Sequence, residues 1–207
     1  MEKRIAVLAG DGIGPEVVKQ GKKALDAIAS RFDHKFTYCH ADVGAIAIDH
    51  TGDPLPEATL ATCMDADAIL FGAIGDPKYD NNPDAKVRPE QGLLRLRKSL
   101  GLFCNIRPVA THPNLLHLSP LKPEHINGVD MVIYRELTSG IYFGEKYLSE
   151  DGMSAFDKCE YHVMEVERIA HLAFKAAMNR RKKVTLIDKA NVLETSRLWR
   201  KTVREIA

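Results

Sequence analysis

A chain of 207 residues, 45% hydrophobic and 28% charged, has room for a sizeable core and fits one or two globular domains. Its formal net charge of +1 excludes the basic excess of a general nucleic-acid binder. No window is long enough to span a membrane, and the apolar run in "MEKRIAVLAG" is too short for a signal peptide.

Apolar β-rich runs alternate with helical patterns, which predicts an α/β layout with much parallel pairing. Arg4 to Leu8 reads as a buried strand, and Pro15 opens a helix that runs to about Ser30. Lys35 to His40 alternates like a strand, and "TGDPLP" (Thr51 to Pro56) is a turn into a short helix. "DAILFGAIGDP" gives a further buried strand. It ends in a polar loop from Asp76 to Pro89 that carries Asp80, Asn81, Asn82 and Asp84. Long irregular loops in compact domains are often functional.

Gln91 to Leu100 reads as a basic helix, and "LFCNIRPV" and "VDMVIYREL" as strands. Tyr142 to Cys159 is polar and glycine-bearing, an extended excursion outside the core. Tyr161 to Arg180 is a strong helix, apolar over more than one stripe, so burial on two sides and a subunit interface are expected. "VTLID" reads as a strand, and Asn191 starts another helix. The sequence stops at "TVREIA" inside an amphipathic pattern without a helix stop, and is expected to be a C-terminally incomplete piece. Cys39, Cys63, Cys104 and Cys159 form no CxxC pair and no metal-ligand spacing, which points to reduced thiols in a cytoplasmic protein.

The turn "AGDGIGPEV" invites comparison with a dinucleotide-binding loop. Its glycines are spaced G-x-G-x-G, and Pro15 stands where the third fingerprint glycine belongs. Asp11 and Glu16 put negative charge at the helix N-terminus, which suits the helix dipole and repels a pyrophosphate. This is a tight strand-to-helix turn and a poor phosphate cradle.

"GDGIGPEV" nevertheless resembles the N-terminal signature of the β-decarboxylating dehydrogenases, the family of isocitrate and 3-isopropylmalate dehydrogenases. The likeness continues in the family's order through "AIDHTGDPLP", "LFGAIGDPKYD", "RPEQGLLRLRK", "LFCNIRPV", "RELTSGIYFGE" and "DKANVLETSRLWR". The resemblance implies a two-domain α/β fold of the isopropylmalate dehydrogenase type that binds NAD without a Rossmann domain. Residues 1–100 would form the N-terminal part of the first, NAD-side domain. Residues 101–207 would form an incomplete inserted domain with the dimer interface.

Read from the residues alone, Arg97, Arg107 and Arg135 are costly cations in or beside apolar elements, each of them equally a snorkelling side chain or a surface ion pair. Together they suit a dicarboxylate, because a guanidinium fork matches a carboxylate. The resemblance makes these three the substrate-binding arginines and leaves Arg88 and Arg95 out. It places Leu93 against an isopropyl group, where a third carboxylate would find no partner. Tyr142 could be an ordinary strand aromatic and Lys189 an ordinary surface lysine. The resemblance gives Lys189 the base role, reaching across a homodimer interface, and Tyr142 the acid role. Asp76, Pro77, Lys78, Tyr79 and Asp80 would line the NAD site, with Glu90 near the nicotinamide ribose.

The implied reaction is NAD-dependent oxidative decarboxylation of 3-isopropylmalate to 2-oxoisocaproate in leucine biosynthesis. A malate- or tartrate-type relative and a non-catalytic dimerising module are the rivals. The Mg2+ or Mn2+ ligands and the adenosine loop of the family would lie beyond Ala207, so no turnover is expected from these residues alone. Ser139 and Asp76 stand where many relatives carry glycine. Ser139 would matter if its position required a positive φ.

Overall fold

The computed structural model describes residues 1–82 and 85–207; Pro83 and Asp84, in the acidic loop, lie outside the described residues. Packing divides the chain into two units, Met1–Leu100 and Gly101–Ala207. Among the described residues no helix is long and apolar enough to cross a membrane.

The first unit comprises β1 (Glu2–Gly10), α1 (Gly14–Phe32), β2 (Lys35–His40), α2 (Ala45–Thr51), α3 (Glu57–Met64), β3 (Ala68–Ala73), α4 (Pro77–Asp80) and α5 (Pro89–Ser99). The strands form a parallel sheet in the order β2-β1-β3. β1 is apolar on both faces because helices cover both. Ile5 and Val7 pack with Val18 and Leu25 of α1. Ala6 and Leu8 meet Val43, Leu55, Cys63 and Leu96 on the opposite side.

The glycine turn is explained by this packing. A Cβ on Gly14 would lie 2.1 Å from the Ala9 carbonyl oxygen, and one on Gly72 would meet the same atom at 2.1 Å. Glycine at both positions lets the start of α1 rest directly on the ends of β1 and β3.

The second unit holds β4 (Cys104–Ala110), a 3-10 turn (Pro113–Leu118), α6 (Pro123–Ile126), β5 (Asp130–Glu136), a 3-10 turn (Gly140–Tyr142), β6 (Lys146–Leu148), β7 (Ala155–Asp157), α7 (Val163–Met178) and α8 (Glu194–Ile206). β4 and β5 pair antiparallel, and so do β6 and β7. The core here is Val166 and Ala170 of α7 with Val203 of α8, flanked by Phe174, Leu186, Trp199 and Ile206.

One expectation needs correction. "VTLID", residues 184 to 188, is not a strand. A strand needs a neighbour to complete its hydrogen bonds, and among the described residues this run has none. Leu186 packs inward while Ile187 is 91% exposed. The second apolar side of α7, expected at a subunit interface, is open within the chain. Val166, Ile169 and Ala170 are buried, whereas Val163, Met164, Leu172 and Met178 are exposed.

Candidate active site

The cofactor-side segment expected from Asp76 to Glu90 is fastened at several points in the first unit. Its base is set by Asp11, whose buried carboxylate accepts from the Gly75 amide (3.0 Å) and from the Ala45 (2.8 Å) and Ile46 (3.0 Å) amides at the start of α2. Asp11 was expected to serve the N-terminus of α1. Its carboxylate accepts instead from amides at the start of α2, and Glu16 supplies the acidic first turn of α1.

Asp76, with extended backbone (φ −142°), caps α4 by accepting from the Lys78 amide at 2.9 Å. Its carboxylate satisfies one of the otherwise unpaired amides of a helix start. Pro77 follows as the first helical residue. Lys78 Nζ and the Tyr79 hydroxyl both donate to Asp49 of α2, at 2.5 and 3.0 Å. The Lys78 ammonium, then the Tyr79 hydroxyl, holds the Asp49 carboxyl below the usual carboxylate range. The same Asp49 bond raises Lys78. Desolvation, with Asp49 adding to it, raises the Tyr79 phenol. Arg88 donates to the Tyr79 and Asn82 carbonyls at 3.2 and 3.4 Å, and so belongs to the loop's support. Asp80 ends the short helix and is exposed.

α5 presents two stripes. Pro89, Gly92 and Leu96 form its buried edge. Glu90, Leu93 and Arg97 recur at the same helical spacing one position on, so they share the adjacent face. A Cβ built on Gly75 would lie 3.4 Å from Glu90 Oε1, which puts that carboxylate against the start of the cofactor-side segment. An acceptor, an apolar side chain and a guanidinium are thereby aligned on one helix face. Arg95 points elsewhere and pairs with Asp53 at 2.8 Å.

In the second unit the β4–β5 register pairs Asn105 with Arg135 and Arg107 with Ile133. Directly opposed residues and those two apart share a face, so Arg107 and Arg135 are diagonal neighbours on the same side of the ribbon. Arg107 Nε donates to Asn105 Oδ1 at 2.5 Å, and the Arg135 guanidinium lies 5.4 Å from the centre of the Tyr142 ring. Among the described residues neither guanidinium has an acidic partner. Two unneutralised cations and a phenol on one face can receive an anionic ligand and hand it a proton.

Lys189 is not joined to that group by any hydrogen bond or ion pair among the described residues. Its ammonium is exposed, while its amide donates to Ser196 Oγ at 3.0 Å and its carbonyl accepts from Val192 and Leu193. The preceding Asp188 is clamped by Arg200 at 2.6 and 2.9 Å, and this pair, with the Ala190 amide, holds the Asp188 carboxyl below its usual range. The lysine is therefore presented to solvent from a pinned turn.

Asp11, Asp49, Arg88 and Glu136 are the supporting residues that the sequence pattern does not reveal. The one cue for Glu136 is a glutamate after Arg135 at the end of the largely apolar strand "VDMVIYREL". Ser139 has extended backbone (φ −141°), so a side chain at that position carries no strain. Among the described residues no three acidic, histidine or cysteine side chains converge to hold a metal ion.

Residues 4–207 match the family model of isocitrate/isopropylmalate dehydrogenases. The chain is 56% identical over its full length to a 3-isopropylmalate dehydrogenase from Bacteroides fragilis and covers 58% of that protein. It is 55% identical to one from Streptococcus thermophilus, covering 59% of it. The crystal structure of isocitrate dehydrogenase from Methylococcus capsulatus superposes with a TM-score of 0.82 at 28% identity, over 98% of this chain and 56% of the other. A β-decarboxylating dehydrogenase from Thermococcus kodakarensis gives 0.69 at 32% identity, over 99% of this chain and 54% of that one. The chain thus spans a little over half the length of the relatives it matches. With the strand-turn-helix start, the parallel sheet and the arginine-bearing ribbon all in place, it belongs to the isocitrate/isopropylmalate dehydrogenase family.

Proposed function

We propose that this chain carries the substrate-side machinery of an NAD-dependent oxidative decarboxylation of 3-isopropylmalate to 2-oxoisocaproate. The observation that carries the reading is the pair Arg107 and Arg135, set on one ribbon face beside Tyr142 with no carboxylate of the described residues to neutralise them. Bidentate guanidinium–carboxylate pairing gives both charge balance and orientation to a malate skeleton. The family resemblance assigns Arg97 to the same substrate. Leu93, on the same helix face as Arg97, favours an isopropyl group over the extra carboxylate of isocitrate, which an apolar side chain leaves unpaired. Relatives named 3-isopropylmalate dehydrogenase support the same choice.

In the reaction, Lys189 takes the proton of the C2 hydroxyl as hydride leaves C2. Loss of CO2 from the resulting β-keto acid leaves an enolate, and Tyr142 delivers a proton to its C3. The nicotinamide, when bound, supplies the hydride acceptor. Glu90 fits it as an acceptor for ribose hydroxyls, and the segment Asp76, Pro77, Lys78, Tyr79 and Asp80 lines the same site. Mg2+ or Mn2+ would polarise the C2 oxygen; among the described residues no three acidic, histidine or cysteine side chains converge to hold it. Lys189 reaches its substrate across a homodimer interface formed by the open apolar face of α7, Val163, Met164, Leu172 and Met178.

The test is NADH formation by the whole gene product on 3-isopropylmalate, isocitrate and malate. The reading expects the isopropyl substrate to have the highest kcat/KM. Higher kcat/KM on isocitrate or malate would overturn it.

A further inference from the structure

We infer that Glu136 is a positioning residue for Tyr142, holding through the backbone a phenol that the ring's own contacts do not fix; the inference rests on Tyr142 as the proton donor proposed above. Tyr142 is 53% exposed, and its hydroxyl has no hydrogen-bond partner among the described residues. Its ring lies against the Arg135 guanidinium, 5.4 Å from ring centre to guanidinium carbon. What places the ring is therefore the turn Gly140–Tyr142, and that turn is fastened at its entrance.

Glu136 is the last residue of β5, and its side chain is 2% exposed. Strand alternation sends Arg135 toward the Tyr142 ring and Glu136 to the opposite face. There the carboxylate accepts from the Thr138 amide at 2.9 Å, the Ser139 amide at 3.0 Å, the Thr138 hydroxyl at 2.7 Å and Arg168 of α7 at 2.7 Å. Arg168 also donates to the Thr138 hydroxyl, and its guanidinium lies 4.6 Å from the centre of the Phe103 ring. Consecutive residues of one strand thus grip the tyrosine from both sides, one at the ring and one at the backbone.

The rest of the turn leaves little freedom. Ser139 Oγ donates to Glu165 of α7 at 2.8 Å. Gly140 has φ +75°, its amide donates to the Glu160 carbonyl at 3.0 Å, and a Cβ there would lie 2.3 Å from the Tyr161 hydroxyl oxygen. A glycine is needed at 140 for both reasons. A serine at 139, in extended backbone, adds a bond to α7 that glycine could not make.

The experiment places 3-fluorotyrosine at position 142 of the whole gene product and follows its 19F resonance, with the same label at Tyr147 as control. Glu136→Gln keeps the size of the side chain but turns two acceptors into one. It is expected to shift or broaden the 142 resonance and leave the 147 resonance in place. Turnover on the dicarboxylate should fall about tenfold to a hundredfold in kcat with KM nearly unchanged, as for a misplaced catalytic group. Ser139→Ala should move the same resonance less. An unmoved 142 resonance and full kcat in folded Glu136→Gln protein overturn the inference. If that variant does not fold, Thr138→Val and Ser139→Ala decide by the same resonance: displacement supports the role, and none in either rejects it. Unimpaired turnover by Tyr142→Phe would instead sink the proton-donor reading and leave the 19F result to judge the positioning.

Discussion

The segment from Gly75 to Asp80 in the first unit and the turn from Thr138 to Tyr142 in the second are fastened by opposite means. Past its base at Gly75, the first is held by exposed charge: Asp49, 41% exposed, receives Lys78 and Tyr79. The second is held from inside by Glu136, whose side chain is 2% exposed. Exposed pairs contribute little because water screens them and two long side chains must be ordered. A buried carboxylate with several donors is costly to disturb, since its removal strands every one of them. Under the proposed function the first segment would admit and release a cofactor while Tyr142 would have to stay in place, and the two kinds of tether suit those demands.

The largest expected effect breaks the inner tether. Glu136→Ala removes the acceptor of two amides, a hydroxyl and Arg168, and should destabilise the second unit by about 4 kcal/mol. Chemical denaturation followed by hydrogen exchange would locate the loss; unchanged exchange in the second unit would contradict it. Next comes Asp11→Ala, which orphans three amides that join α2 to Gly75 and should cost about 3 kcal/mol. Its effect should be confined to the first unit, with faster exchange at Ala45, Ile46 and Gly75. Leu93→Ser should lower the preference for the isopropyl substrate over malate by about tenfold, the scale of a lost apolar contact. Equal ratios in the two proteins would remove Leu93 from the substrate site.

The smallest effect sharpens the comparison at the outer tether. Asp49 has its folded value depressed below the ordinary carboxyl value of 3.8, so its contribution is present above that value and lost as pH falls through the lower one. Lys78 has its value raised above 10.5, so its contribution is present below 10.5 and lost as pH rises through the higher one. Exchange at Lys78 and Tyr79, corrected for intrinsic rates, should be flat between those limits and rise outside them. In Asp49→Asn protein the acid limb should vanish. A persistent acid limb would assign the tether to another group.

Much of the fold is legible in the residues. Lys35 to His40 is the strand that its alternation predicts, and Pro15 lies in the first turn of a helix that ends two residues beyond the expected Ser30. The seven-residue helix Ala45–Thr51 is not, because "AIAIDHT" is too short to display a helical period and its first four residues alternate like a strand. "VTLID" misleads for the converse reason: β-prone residues make a strand only where a neighbour completes the ladder. The site divides in the same way. Arg107, Arg135 and Tyr142 can be picked out by residue type and family likeness, and the β4–β5 register then puts the two arginines on one face. Asp11 cannot, since its partners lie 34, 35 and 64 residues away along the chain. Local pattern carries no record of such distant pairing.

Under the proposed function, the ribbon carrying Arg107 and Arg135 would deliver a substrate to Tyr142. The most direct measurement compares turnover and dicarboxylate binding in the whole gene product with and without Tyr142→Phe. NADH-coupled decarboxylation is expected to fall by at least about a hundredfold, the scale of a lost general acid, while binding of 3-isopropylmalate survives because the arginines remain. Turnover at the unsubstituted rate would contradict it.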